Sequence, residues 1–291
     1  MGLERVRKSL ESDMQLKLQQ SGLFYRIFSR EKSKESAERK IDNKNYKITG
    51  KKITDIIGLR IMLYFADDVD AVRGYLKRKF FQVEEVYDKP EKDVFGPVRL
   101  NILFKIPEDL EKEFKAIMKL EFCEYSDIIE SCFEVQIRTI LSEGWHEIEH
   151  DLRYKRINDW AGHDDISRLL NGVYATLTTS EWSMIEMFNK LSYLYYKEKK
   201  WESMLWHKFR LRFNSNKLST ELSELFDNDN EFAKKVYRLE REEAIKVFLD
   251  LGVSLPFNIN NFIYILNEKL NLSDSLSIHV PVLIKEKLNS P

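Results

Sequence analysis

The sequence predicts an α+β protein: a mixed sheet of about five strands flanked by helices, followed by a helical C-terminal extension. Three observations carry this. Strand-like runs of apolar and polar residues fall between about residues 22 and 140, with helical spacing between them. The two kinds of segment do not alternate strictly, which disfavours a doubly wound parallel sheet. From about Asp164 the pattern is mostly helical, and ten Gly and six Pro in 291 residues favour long helices with short connections.

Each element has a local reason. Leu3, Val6, Leu10, Met14 and Leu18 recur at helical spacing and predict a helix over about 3–20. The aromatic run 22–30 reads as a short strand, and 33–41 as one or two helical turns. A basic loop then leads to a strand at 58–65. Residues 67–80 form an amphipathic helix for which Asp67 or Asp68 could serve as the cap. Two strands follow, 81–89 and 98–106, joined by a long charged loop from Asp88 to Pro97. Residues 108–120 are helical, 131–140 a strand and 141–155 a helix. Helical spacing returns over about Asp164 to Lys200, Leu218 to Asp250 and Asn260 to Leu270. The domain division expected is 1–21 (N-terminal helix), 22–195 (sheet-containing domain) and 196–291 (helical extension).

Composition narrows the function classes. A net charge of -1 excludes a wholly basic nucleic-acid binder, yet Glu4 to Lys52 holds fourteen Lys/Arg against seven Asp/Glu. That excess suits phosphates, or is simply a solvated face. Cys123 and Cys132 are the only cysteines; without a secretory signal they suggest a reduced, cytoplasmic protein. The N-terminus is too charged for a signal peptide, and the sixth residue is not the Ser or Thr of a myristoylation signal. No apolar run approaches the roughly 18 residues that span a bilayer, so no membrane partner is expected.

The residues that carry chemistry lie in three stretches. In SREKSKESAERK, Arg30 and Lys32 share a strand face, and Ser36 and Lys40 share a helix face. Cations with a hydroxyl among them suit a polyphosphate, although basic helices often face only water. In DIIGLRI, Asp55 and Arg60 bracket the start of a buried strand. In FEVQIRTI, Glu134, Gln136 and Arg138 occupy one face of a strand whose other face is apolar, so that face is solvated or lined by ligand. Were the two strands neighbours, Asp55 and Glu134 would converge. Paired carboxylates beside cations are how Mg²⁺–nucleotide sites are built, and Glu134 could also take a proton from an attacking hydroxyl. The competing reading is that Asp55 caps a turn and Glu134 pairs with Arg60 or Arg138. HEIEH also has the spacing of an HExxH zinc site through His146, Glu147 and His150, but no third ligand is evident. A second basic region, 196–217, interleaves Lys197, Lys199, Lys200, Lys208, Arg210 and Arg212 with Trp201, Trp206 and Phe209. It reads either as an RNA grip or as an amphipathic helix with its Trp residues buried.

Together SREKSKESAERK, ITDIIGLRI and FEVQIRTILSEGWHEIEHDLRYK resemble the RelA/SpoT alarmone synthetase domain, over roughly residues 22–195. The resemblance implies a mixed sheet related to nucleotidyltransferases. It also implies an ATP-dependent pyrophosphokinase that moves the β,γ-pyrophosphoryl group of ATP to a 3′-hydroxyl of GDP or GTP, making (p)ppGpp. Arg30, Lys32, Ser36 and Lys40 would hold the ATP phosphates and flank its adenine, with Arg60 at the ATP side. Asp55 and Glu134 would be the catalytic pair and hold Mg²⁺. Gln136 and Arg138 would line the donor or acceptor pocket, and His150, Tyr154 and Lys155 would close the site.

The sequence departs from the family at the GYRSxH-like loop that stacks on the acceptor guanine. Here DVFGPVRLNILFKI keeps Gly96 and Arg99 but has no Tyr after the Gly, and Asn101 or Ile102 stands where His is expected. Phe95 could supply the ring, since stacking needs a π face and not a hydroxyl. The acceptor site is therefore altered, and relatives in toxin–antitoxin and phage-defence systems use adenosine nucleotides or the 3′ end of tRNA. The partners implied are ATP and a nucleotide or tRNA acceptor, with a homo-oligomer and an antitoxin or regulatory partner also open. The alternative is a catalytically degenerate module that senses nucleotide or binds a partner. The residues before 22 leave no room for the His/Asp hydrolase domain of long relatives, so alarmone hydrolysis is not expected.

Overall fold

The structure is a computed structural model and describes residues 2–87, 100–215 and 217–289. The loop expected at 88–97, with Phe95, and Arg99 beyond it lie outside the described residues. Two compact units interleave along the chain: Met1–Gln15, Tyr25–Tyr64 and Leu76–Thr179 form the first, and Leu16–Phe24, Phe65–Tyr75 and Ser180–Pro291 the second.

The first unit is built on five strands: β1 (Tyr25–Glu31), β2 (Ile57–Leu63), β3 (Gln82–Tyr87), β4 (Leu100–Lys105) and β5 (Cys132–Thr139). Their order is β1-β2-β5-β4-β3, with β2 and β5 parallel and every other pair antiparallel. The α+β class and mixed sheet expected from the sequence are therefore observed. Period-two alternation gives the sheet two unlike faces. Ile57, Leu59, Ile61 and Leu63 of β2 and Phe133, Val135 and Ile137 of β5 lie on one face, all nearly inaccessible to solvent. Phe133 packs against Phe80 and Phe104 with ring centroids 5.2 and 5.7 Å away.

Helix α1 (Gly2–Gln20) covers that face, burying Leu3, Val6, Leu10 and Met14; its Arg7 reaches Glu31 of β1 at 2.8 Å. The opposite face carries Arg30, Gly58, Arg60, Glu134, Gln136, Arg138 and Asn101, as the registers Arg30↔Gly58, Gly58↔Glu134, Arg60↔Gln136 and Asn101↔Gln136 require. Helix α2 (Lys34–Asn43) and the single turn α3 (Tyr46–Thr49) lie between β1 and β2. The α2 N-terminus is capped by Ser33, which accepts from the Ser36 N–H at 3.2 Å.

A 3-10 turn, Ala66–Asp68, precedes α4 (Val69–Lys79). Asp67 and Asp68, expected as caps, belong to the second unit and turn instead to arginines within it, described below. Helix α5 (Glu108–Glu121) buries Phe114, Ile117 and Met118. Strand β5 passes without a loop into α6 (Ile140–Leu152), and a 3-10 stretch, Tyr154–Trp160, replaces the last turn expected of that helix. Helix α7 (Asp164–Lys197) begins in this unit.

The second unit is helical. It contains α8 (Trp201–Phe209), α9 (Thr220–Asn228), α10 (Asn230–Arg238), α11 (Arg241–Leu249), α12 (Ile259–Leu270), α13 (Asp274–His279) and α14 (Val282–Asn289). The helical stretch expected over 218–250 is three helices because Asp229 ends one and caps the next, accepting from the Phe232 N–H at 2.9 Å, and Leu239 and Glu240 are extended. Trp201 and Phe209 are buried, and Trp206 packs on Phe213 at 5.8 Å. The packed-helix reading of this basic region therefore holds for its rings, which are not an exposed stacking platform. Gly22 has φ +70°, and a Cβ there would lie 2.0 Å from the Phe257 ring, so only glycine fits.

Asp68 is fully buried and bidentate with Arg241, which is itself buried; Asp67 pairs with Arg210. Burial pulls the Arg241 guanidinium down to about 10, opposed by the nearby Asp67 charge. Removing one partner strands the other charge in the interior. Among the described residues, no helix is long and apolar enough to cross a membrane.

Two stability outcomes follow from this packing. Phe133→Ala should lower unfolding free energy by about 3–5 kcal/mol in a urea titration, the cost of an aromatic cavity. Asp68→Asn should cost about 3–5 kcal/mol by removing the bidentate partner of buried Arg241 and leaving it only the longer contact to Asp67 at 3.4 Å. Little change in either midpoint would contradict the assigned packing.

Candidate functional site

The polar sheet face holds two cavities. The larger, about 440 Å³, is lined by residues including Phe28, Arg30, Gly58, Arg60, Met62, Glu134, Gln136, Glu143 and Glu147. Its size is within the usual range for small-molecule sites. The smaller, about 150 Å³, is lined by residues including Lys40, Asp55, Glu84, Asn101 and Glu134. Glu134 borders both.

Asp55 owes its place to backbone pairing on either side. Ile53 bridges Ile129 ahead of β2, and the Ile56 carbonyl accepts from the Lys32 N–H at 2.9 Å. One Asp55 oxygen, Oδ2, accepts from both Lys32 Nζ (2.7 Å) and Lys40 Nζ (2.9 Å). Its Oδ1 is buried without a hydrogen-bond partner. Burial pushes the Asp55 carboxyl up, but the hydrogen bonds from Lys32 and Lys40 outweigh it and hold the group below its ordinary value. Asp55 is thus not the turn cap that the competing reading required.

Glu134 pairs with neither Arg60 nor Arg138. Asn101 Nδ2 donates to its Oε1 at 3.0 Å and Gln136 Nε2 to its Oε2 at 3.2 Å. A carboxylate only accepts and a guanidinium only donates, so the Gln136 amide has one sensible orientation: Arg60 Nε donates to its Oε1 at 3.2 Å. Two amides therefore fix the Glu134 carboxylate from adjacent strands.

Arg60 is held further by Glu143 and Glu147, the latter at 2.5 Å, and Glu143 also receives Arg138 at 2.8 Å. Both acids are on α6. Thr139 caps that helix, its hydroxyl accepting from the Ser142 N–H at 3.1 Å, while the Ser142 side chain accepts from the Thr139 N–H. Because the cap is the last residue of β5, the first two turns stand over the polar face. Trp145 anchors the helix on another side, donating to the Leu170 carbonyl at 2.9 Å. The hydrogen bond from Arg60 holds the Glu147 carboxyl below its ordinary value.

Of the residues expected from the sequence, Arg30, Asp55, Arg60, Glu134, Gln136 and Lys40 line these cavities, and Lys32 joins through Asp55. Arg138 joins through Glu143. Ser36 is exposed beside its cap partner Ser33, 3.0 Å away. His150, Tyr154 and Lys155 form a separate exposed cluster. The His150 ring stacks on Tyr154 at 5.7 Å, and Asp151 accepts from Lys155 at 2.6 Å. Phe95 and Arg99 are outside the described residues.

The HExxH spacing does not build a zinc centre: His146 is buried beside Trp145 and Tyr174, whereas His150 is exposed. Among the described residues, no group of three or more His, Cys, Asp or Glu is placed to hold a metal ion. Cys132 is buried, which pushes its thiol up to about 11, whereas Cys123 is exposed. The sequence pointed to no role for Glu143, and to Glu147 only within the HExxH spacing; their four-residue spacing directly after a polar-faced strand was the available signal.

Residues 29–159 match the family described as "Region found in RelA / SpoT proteins". This segment contains the end of β1, strands β2 to β5 and α6, and the resemblance read from the residues is borne out there. GTP pyrophosphokinase YwaC of Bacillus subtilis (strain 168) is 30% identical over 139 residues, covering 45% of this chain and 59% of that protein. The chain thus matches well under two thirds of that curated relative. Among solved structures, small alarmone synthetase 1 from Bacillus subtilis bound to its product pppGpp is 22% identical, with a TM-score of 0.46 over 63% of this chain and 89% of that one. A GTP pyrophosphokinase family protein from Streptococcus pneumoniae is 21% identical, with a TM-score of 0.46 over 64% and 88%.

The Asp55 geometry has a pH signature. A carboxyl lowered by folding stabilises fully above its unfolded value, near 3.8, and loses that contribution as pH falls through the lower folded value. Wild type should therefore exceed Asp55→Asn by about 1–3 kcal/mol at pH 7 in urea titrations. The gap should narrow below about pH 4. A gap that stays constant across that window would contradict the paired geometry.

Proposed function

We propose that residues 22–195 form an ATP-dependent pyrophosphokinase that moves the β,γ-pyrophosphoryl group of ATP to a nucleotide or RNA 3′-hydroxyl. The observation that carries this reading is Glu134 in the wall shared by two cavities. Lys40 and Asp55 border one, and Arg30 and Arg60 border the other.

In this reading Lys32, Ser36 and Lys40 hold the donor phosphates, and Arg30 and Arg60 flank its base. Hydrogen bonds at Nε and Nη1 lie in the plane of the Arg60 guanidinium and leave its flat faces available for stacking. The unpartnered Asp55 Oδ1 and the Glu134 carboxylate are hard oxygen donors of the kind Mg²⁺ takes, usually one or two per ion with phosphates completing the shell. When bound there, Mg²⁺ would offset the charge of the transferring phosphates. Glu134, fixed by Asn101 and Gln136, accepts the proton of the attacking hydroxyl. The hydroxyl oxygen forms a bond to the β-phosphorus as the bond from that phosphorus to the α–β bridging oxygen breaks. AMP leaves, and the acceptor carries a 3′-pyrophosphate. Gln136 lines the pocket, Arg138 supports it through Glu143, and His150, Tyr154 and Lys155 are an exposed cluster available to acceptor phosphates. The name of the Bacillus subtilis relative supports a guanosine acceptor; the departure around Asn101 favours a different one. Two free thiols fit action in the cytoplasm.

The test follows label from β,γ-labelled ATP with Mg²⁺ into GDP, GTP, ADP, AMP or bulk tRNA. Label should enter one acceptor with release of AMP, and Glu134→Gln should lower the rate about a hundredfold or more. Binding of ATP without transfer to any acceptor would overturn the enzyme reading in favour of a nucleotide-sensing module.

A further inference from the structure

We infer that Glu143 is a positioning residue for the donor site, acting through Arg60; the inference rests on the pyrophosphokinase reading above. Glu143 has a side chain 7% exposed, and each of its two carboxylate oxygens is committed to a different arginine, Arg60 and Arg138. Those arginines stand on neighbouring strands, β2 and β5, so one anion from α6 sets two guanidinium planes against the same sheet face.

The second acid on Arg60 is unlike the first. The Glu147 side chain is 60% exposed, so water screens its pair and can replace it. Water cannot replace Glu143 as readily. Arg138 is 12% exposed and its Nε already lacks a hydrogen-bond partner, so Glu143 is its counter-charge in a nearly dry setting. Arg60 also holds Gln136, which in turn donates to Glu134. Loss of Glu143 would free the Arg60 plane while leaving Gln136 and Asn101 able to hold Glu134. The effect therefore falls on donor affinity more than on the chemical step.

Two variants separate the acids. Glu143→Gln keeps the shape but puts an amide donor against one guanidinium; Glu147→Gln does so at the exposed pair. Binding of α,β-methylene ATP with Mg²⁺ is measured by calorimetry on folded protein. It should weaken about ten- to hundredfold in Glu143→Gln, the loss of a charge-assisted hydrogen bond. In Glu147→Gln it should weaken about fivefold or less. In turnover, Glu143→Gln should raise KM for ATP with kcat within about threefold of wild type, a split that general destabilisation would not produce.

Should Glu143→Gln not fold, Arg138→Gln/Glu143→Gln removes the stranded cation. It should still bind the analogue about tenfold more weakly than Arg138→Gln alone. Equal affinity within that pair, unchanged affinity in folded Glu143→Gln, or equal losses at Glu143 and Glu147 would each overturn the inference. Failure of wild type to bind the analogue would instead overturn the pyrophosphokinase reading, and this inference with it.

Discussion

Everything in the candidate site depends on a sheet whose central strands are dry on one side and polar on the other. Phe133, Val135 and Ile137 bind β5 into the core, and the same strand's alternation forces Glu134, Gln136 and Arg138 to the opposite face. The parallel pairing of β2 and β5 sets Gly58 beside Glu134 and Arg60 beside Gln136. The apolar face supplies the packing that keeps a row of charges at fixed separations. Without it, three polar groups on a central strand would have no reason to remain in one register.

The polar face is dense with charge, yet nearly every charge is opposed locally. Two lysines face Asp55, two amides face Glu134, and two acids face Arg60. Such mutual compensation lets the groups lie close together in a partly dry cleft at acceptable electrostatic cost. It also leaves defined vacancies in the hydrogen-bonding pattern. The buried Oδ1 atoms of Asp55 and Asn101 lack donors, and both residues border the smaller cavity. In the proposed reading, a metal–nucleotide complex would complete these acceptors.

Much of this was legible in the residues because period two is a strict rule. The alternation in FEVQIRTI put Glu134, Gln136 and Arg138 on one face, and the acids and cations of DIIGLRI and SREKSKESAERK marked the partners. What was not legible depended on neighbours distant in sequence. Nothing local says that Asp67 and Asp68 serve Arg210 and Arg241 instead of capping a helix. Nor could spacing say that Trp201 and Phe209 turn inward, since an exposed and a packed amphipathic helix share the same pattern. Glu143 was missed because its role depends on how α6 is aimed, and that is decided at the end of β5.

That junction has a consequence for how this sequence can change over time. With Thr139 serving both as strand end and helix cap, there is no slack between β5 and α6 to absorb a length change. One residue inserted or removed there would turn the helix by about 100° and shift it by about 1.5 Å, the geometry of a single α-helical step. Glu143 would swing away from both arginines, and Trp145 would leave its anchor at once. Substitutions at the junction can be judged one side chain at a time, but insertions and deletions cannot. The chain length between Glu134 and Glu147 is therefore expected to be invariant among sequences that keep this site.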